Sequence, residues 1–148
     1  EISACLVGSE MCIRDSYNIK GKDVVAGNCK YYLNDLSFKN FLYPGFAYGV
    51  GYLLENAVYL ELRRLGYIVY TGSFRDKEVD FVAMKDDRVI YLQATYMLET
   101  AQTMEREYAP LLTIGDNYEK YVVSMDEVQF PSNEGVRHIQ AWNLKEIL

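Results

Sequence analysis

Lys77-Glu-Val-Asp-Phe-Val-Ala-Met-Lys85, Asp86-Asp87 and Arg88-Val-Ile-Tyr-Leu-Gln-Ala-Thr95 are the consecutive segments that decide the fold. Residues 79–85 and 88–95 are apolar enough for two strands, and Asp86-Asp87 supplies a hairpin turn between them. Period two puts Glu78, Asp80 and Val82 on one face of the first strand, with Val79, Phe81 and Ala83 on the other. On the second strand Tyr91, Gln93 and Thr95 share a face. A turn at Asp86-Asp87 sets Asp80 directly opposite Gln93. Cross-strand partners on one face lie about 5 Å apart, near enough to share one cation. A carboxylate between buried neighbours is costly unless it is paired or coordinates a metal, which makes Asp80 the residue to explain.

Upstream, Tyr67–Thr71 reads as a further strand closed by Gly72. A long helix is predicted over residues 48–65, with Val50, Leu54, Val58, Leu62 and Leu65 as its buried stripe. Arg63 and Arg64 suit the negative end of its dipole, and Gly66 stops it. Before Pro44-Gly45, Lys30–Asn34 is a short extended segment and Asp35 can cap a brief helix reaching Phe41. Downstream, Met104, Tyr108, Leu111 and Leu112 mark a second helix with Thr100 or Thr103 as cap, which Pro110 should kink or shorten. Strands follow over 121–125 and 136–142, then a terminal turn over 144–148 capped by Asn143. The order helix, three strands, helix, strand predicts a mixed central sheet flanked by helices, an α/β core.

The chain has 148 residues, half of them apolar and about a quarter charged, enough for one globular domain. Its longest apolar run falls far short of the roughly 20 residues of a bilayer span, so no membrane segment is expected. Three ungrouped Cys suggest a reducing, cytoplasmic setting, and a single His, His138, leaves little room for zinc or Ser-His-Asp chemistry. His138 lies in a predicted strand and is read as a structural or surface residue rather than a base. A net charge of −6 disfavours coating of nucleic acid by surface charge, though not a local cleft. Residues 1–16, EISACLVGSEMCIRDS, show neither period and resemble sequencing read-through. They are read as a non-native or disordered tail, with the domain over 17–148 and the natural protein continuing upstream.

No phosphate-binding loop is present, since Gly21-Lys22 lacks the upstream Gly, and Gly49-Val-Gly51 lacks the third Gly of a dinucleotide fingerprint. ATP hydrolysis is therefore not expected of this chain. The informative set is acidic: Glu55 on the long helix, Asp80, and Gln93 opposite it. An oxygen-only set of this kind suits Mg²⁺ or Mn²⁺. Against this stands a plain salt bridge of Asp80 with Arg75 or Lys77.

Lys30-Tyr-Tyr…Asp35, Leu54-Glu-Asn…Glu61-Leu62, Leu65-Gly-Tyr67, Lys77-Glu-Val-Asp-Phe-Val82, Tyr91-Leu-Gln93, Glu105-Arg-Glu107 and Asp116-Asn-Tyr…Lys120 carry a resemblance. Together they resemble the domain of unknown function that forms the C-terminal part of many prokaryotic AAA-type ATP-binding proteins. The resemblance runs over about 17–148 and implies a restriction-endonuclease-like fold of the PD-(D/E)xK type, with an αβββαβ core. It implies that Glu55 is the helix acid of the nuclease motif, Asp80 its central metal-binding Asp, and Gln93 the second acidic or Gln position, with Mg²⁺ or Mn²⁺ as the metal. The motif's Lys should stand two residues after Gln93, where this chain has Thr95. Thr95 brings no positive charge, and loss of such a group commonly costs on the order of 10²–10³ in rate. Lys77, Lys85 and Lys120 are the candidates for a migrated Lys, with Lys85 weakest by strand parity.

Two functions are therefore expected. One is a nuclease-like accessory domain of an AAA-type ATPase, degenerate in catalysis and acting in nucleic-acid or partner binding, its ATPase module absent from this chain. The other is an active Mg²⁺-dependent phosphodiesterase using Glu55, Asp80 and Gln93. A third idea, a protein-interaction module, rests on the fourteen Tyr and six Phe, which are read mainly as core. Self-association into a homo-oligomer is expected through the face that an ATPase half would cover.

Overall fold

The computed structural model describes residues 10–37, 41, 45 and 49–148. Seven strands form one mixed sheet: β1 (Glu10–Asn18), β2 (Asp23–Leu33), β3 (Ile68–Phe74), β4 (Lys77–Lys85), β5 (Arg88–Ala94), β6 (Glu119–Ser124) and β7 (Val136–Gln140). Their spatial order is β2-β1-β3-β4-β5-β6-β7. The hairpins β1/β2, β3/β4 and β4/β5 are antiparallel, whereas β1/β3, β5/β6 and β6/β7 are parallel. Helix α1 (Val50–Arg64) covers one face together with a 3₁₀ helix, Ala141–Glu146, and helix α2 (Ala101–Leu112) covers the other.

Strand alternation divides the core between these faces. Ile90 and Leu92 of β5, with Tyr121 and Val123 of β6, pack with Leu54, Val58 and Leu62 of α1. Tyr91 and Val122 pack on the opposite side with Tyr108 and Leu111 of α2. Leu54, Val58 and Leu62 of the predicted α1 stripe are buried, with Asn56 and Tyr59 beside them, while Val50 is exposed at the helix start and Leu65 is the half-buried C-cap. At the other end Gly66, at φ +88°, forms a Schellman stop: Tyr67 N–H donates to Leu62 O and Gly66 N–H to Arg63 O, both at 3.0 Å. Thr100 caps α2 as expected, accepting from Thr103 N–H at 3.0 Å. Pro110 sits in its last turn, and the helix ends two residues later.

Several expectations are corrected. The short extended segment at Lys30 is the end of an 11-residue strand, and β1 runs through residue 16, where the tail was expected to end. Residues 1–9 of that expected tail lie outside the described residues, as do residues 38–40 of the brief helix after Asp35, whose Leu36, Ser37 and Phe41 are helical. Strand β7 stops at Gln140, so Trp142 belongs to the 3₁₀ helix and Asn143 is not its cap. The hairpin turn is placed as predicted, with Lys85 paired to Arg88, and the pairs Phe81↔Leu92 and Val82↔Tyr91 continue towards Asp80 and Gln93.

The face assignment of β4 fails at one point. Tyr70 pairs with Val82 but Gly72 pairs with Val79, so Asp80 and Phe81 together stand opposite Thr71. This is a β-bulge, and it resets the side-chain alternation. Val79 and Val82 both pack on the α2 side, while Phe81 and Ala83 pack on the α1 side. Gly72 makes room for it, because a Cβ there would lie 2.8 Å from Val82 Cγ2 and 3.0 Å from Val79 Cβ.

Candidate functional site

The bulge sends the Asp80 side chain towards α1, where it meets residues from two other elements. Lys30 of β2 places its Nζ 2.8 Å from Glu78 Oε1, 3.3 Å from Glu55 Oε1 and 3.4 Å from Asp80 Oδ1. Tyr32 lies two residues along the same strand, on the same face, and donates its hydroxyl to Glu55 Oε1 at 2.7 Å. Its ring is stacked on Tyr59 of α1 with centroids 4.2 Å apart. Fully buried Asn56 fixes the register between strand and helix: its side chain accepts from Leu33 N–H at 2.8 Å and donates to Leu33 O at 2.9 Å. That two-point clamp seats Lys30 and Tyr32 over the adjacent Glu55.

The electrostatics follow from depth. Asp80 Oδ2 accepts the Ala94 N–H at 2.9 Å, and the carboxyl is largely sequestered from water. Burial, then repulsion from Glu55, pushes its pKa up from 3.8 to about 6, against the pull of Lys30 and the Ala94 N–H. Burial opposes the Lys30 charge, but Asp80, Glu78 and Glu55 outweigh it and hold the ammonium well above its ordinary pKa. Burial and the Glu55 carboxylate likewise keep the Tyr32 hydroxyl protonated far above the usual range.

The predicted site residues do not all converge. Glu55 and Asp80 meet at Lys30. Gln93 instead lies on the α2 side, where its Oε1 accepts Asp80 N–H at 3.3 Å and its Nε2 donates to buried Glu107 Oε2 at 3.3 Å. Thr95 is buried just after β5, its N–H donating to Val123 O at 3.0 Å. The expected migrated lysines are engaged elsewhere: Lys77 donates to Ala109 O, Lys85 to Leu65 O, and Lys120 to Asp116 O. The cation beside the acids is Lys30, which sequence reasoning had not placed there. The only signal for it was the period-two pairing of Lys30 with Tyr32 in an otherwise short extended segment.

As arranged, these residues do not fit Mg²⁺ or Mn²⁺. Such an ion needs about six oxygens at roughly 2.0–2.1 Å. The Lys30 ammonium already stands among the Glu55, Glu78 and Asp80 oxygens, and Gln93 faces away. Among the described residues no group of three or more His, Cys, Asp or Glu is gathered as metal ligands.

A cleft of about 320 Å³ adjoins Lys30, lined by Arg75, Lys77, the acids Asp76 and Glu78, and the hydroxyl-bearing Ser16, Thr71 and Ser73. Arg75 holds a left-handed backbone, φ 58°, in the two-residue turn between β3 and β4. His138 is structural, as expected. Its Nδ1 accepts Phe130 N–H at 3.1 Å, so Nε2 carries the proton toward Ser124 Oγ at 2.8 Å, and that hydroxyl donates to Asp126 Oδ2 at 2.7 Å. The Ser124 proton is thus committed to a carboxylate and no free imidazole nitrogen faces it, so the trio is not a catalytic triad. Among the described residues Tyr32, Tyr59, Tyr67, Tyr91, Tyr108 and Tyr121 are buried, while Tyr31, Tyr96 and Tyr118 are exposed.

Fold and site together define an α/β protein with a lysine-filled acid cluster beside its central hairpin. No family model matches the chain, and no solved structure matches it. An uncharacterized protein of Haemophilus influenzae is 34% identical over 108 residues, which is 73% of this chain and 26% of that protein. The chain thus spans about a quarter of that relative's length. No helix among the described residues is long and apolar enough to cross a membrane.

Proposed function

We propose that this chain is a nuclease-like accessory domain of an AAA-type ATP-binding protein, with cleavage lost or weakened, that binds a nucleic-acid strand. The observation that carries the reading is the convergence of a helix acid, Glu55, with a strand acid, Asp80, on one side of a mixed sheet. The positions of the second acid and the motif Lys are held by neutral Gln93, engaged by Glu107, and neutral, buried Thr95. The element order from α1 to β6 supports a restriction-endonuclease-like core, and the much greater length of the Haemophilus relative is consistent with a module attached to others. The adjoining cleft offers Arg75 and hydroxyls, groups suited to phosphodiester oxygens, within an acidic protein.

An active phosphodiesterase is the second reading, favoured by the Lys30 ammonium at 3.3–3.4 Å from Glu55 and Asp80, which restores the charge that Thr95 lacks. Labelled single- and double-stranded DNA and RNA, incubated with Mn²⁺ and wild type or Asp80→Ala, separate the two. The first reading expects no cleavage by either protein, and binding by fluorescence anisotropy that Arg75→Glu weakens. Cleavage that disappears in Asp80→Ala would establish the second. Absence of binding to all four nucleic acids would refute a nucleic-acid role.

A further inference from the structure

We infer that Lys30 is the built-in cation of the acid cluster: its ammonium takes the place of a divalent ion, and the two are alternative occupants of one position. The inference deepens the site reading above but does not depend on any nucleic acid being bound. Two elements deliver three carboxylates to a single point, Glu55 from α1 and Glu78 and Asp80 from β4, and the group delivered there from β2 is the Lys30 Nζ, within 2.8–3.4 Å of all three.

The arrangement is prepared in advance. Tyr32 holds Glu55 Oε1 at 2.7 Å, Ala94 N–H holds Asp80 Oδ2 at 2.9 Å, and the Asn56 clamp fixes the height of β2 over α1. Each buried acid therefore has one oxygen facing the ammonium, and Asp80 has its other tied to backbone. Only Glu78 is well exposed. A hard ion entering this position must displace Lys30, because an ammonium and a divalent cation cannot share the same carboxylate oxygens at contact distance. Gln93, the neutral ligand such an ion would want, is held by Glu107 on the opposite face.

Binding of Mn²⁺ itself, followed by the electron paramagnetic resonance signal of the free ion and by the metal-dependent shift in melting temperature, tests this. Lys30→Met should bind Mn²⁺ about 10–100-fold more tightly than wild type, the range over which groups around a metal site shift affinity. Lys30→Arg should bind no better than wild type, and adding Asp80→Ala to Lys30→Met should abolish the gain. If Lys30→Met does not fold alone, refolding with Mn²⁺ decides: rescue supports replacement, and no rescue overturns it. Wild-type binding that Lys30→Met leaves unchanged or weakens also overturns it. Because no nucleic acid enters the assay, these results are separable from failure of the nucleic-acid reading.

Discussion

Replacing Gly72 by Ala tests the bulge that aims Asp80. An added Cβ would stand 2.8 Å from Val82 Cγ2, 3.0 Å from Val79 Cβ and 3.2 Å from Ile19 Cδ1. Val79 Cβ is fixed to the backbone of the bulged strand, so relief requires β4 itself to shift. Overpacking of this kind costs about 1–3 kcal/mol. Gly→Ala also removes unfolded-state entropy worth roughly 0.4–1 kcal/mol in the opposite direction. A net loss of about 1–2 kcal/mol is expected, or a fall of roughly 2–8 °C in melting temperature at this size. Urea denaturation of Gly72→Ala, Val82→Ala and the double variant measures it. Val82→Ala removes the closest clash, so the double variant should be at least about 0.5 kcal/mol more stable than the two single losses added together. Strict additivity, or a neutral Gly72→Ala, would refute the crowding and with it the register that turns Val79 and Val82 to the same face.

Three further outcomes follow from the site. Tyr32→Phe keeps the stacked ring but removes the hydrogen bond to Glu55 and should cost about 1.5–3 kcal/mol in urea denaturation, the range for bonds to charged groups. Asp80 binds a proton more tightly in the folded chain, its pKa rising from 3.8 to about 6. Its contribution is therefore complete below its unfolded pKa and is lost as pH rises to about 6, by at most ~3 kcal/mol at about 1.36 kcal/mol per unit; Asp80→Ala should remove that slope. Burial lowers the His138 pKa below 6.5, so this group acts with the opposite sign. The stability it supplies is present above pH 6.5 and is lost as pH falls below it, when the unfolded chain takes up the proton first. Stability curves of wild type and His138→Gln should converge on acidification.

The local rules found the elements that local chemistry determines. The Schellman stop at Gly66, the Thr100 cap and the Asp86-Asp87 turn each depend on residues within a few positions of one another, and each is where the sequence puts it. The β4–β5 register was legible for the same reason, since a two-residue turn leaves no freedom in pairing. The β1–β2 hairpin was largely missed. Its turn at 19–22 has no Asn-Gly or Asp-Gly dipeptide, and β2 also docks on α1 through Asn56, far along the chain.

The site was harder to read because it depends on two features that period counting does not contain. Alternation assumes one residue per step, and the extra residue between Val79 and Val82 breaks that assumption at Asp80 itself. The ladder between β4 and β5 ends at Phe81 and Leu92, and beyond it the side chains of Asp80 and Gln93 serve opposite faces of the sheet. The second feature is distance along the chain: Lys30 is 25 residues from Glu55 and 50 from Asp80. The lysines on β4 and β6, Lys77, Lys85 and Lys120, are committed to backbone carbonyls. A buried carboxylate pair still imposes a requirement that can be read without structure: some cation must reach it. Where the local lysines fail on geometry, the requirement passes to another element on the same face, and a strand with Lys and Tyr two residues apart, the Tyr able to hold the helix acid, meets it.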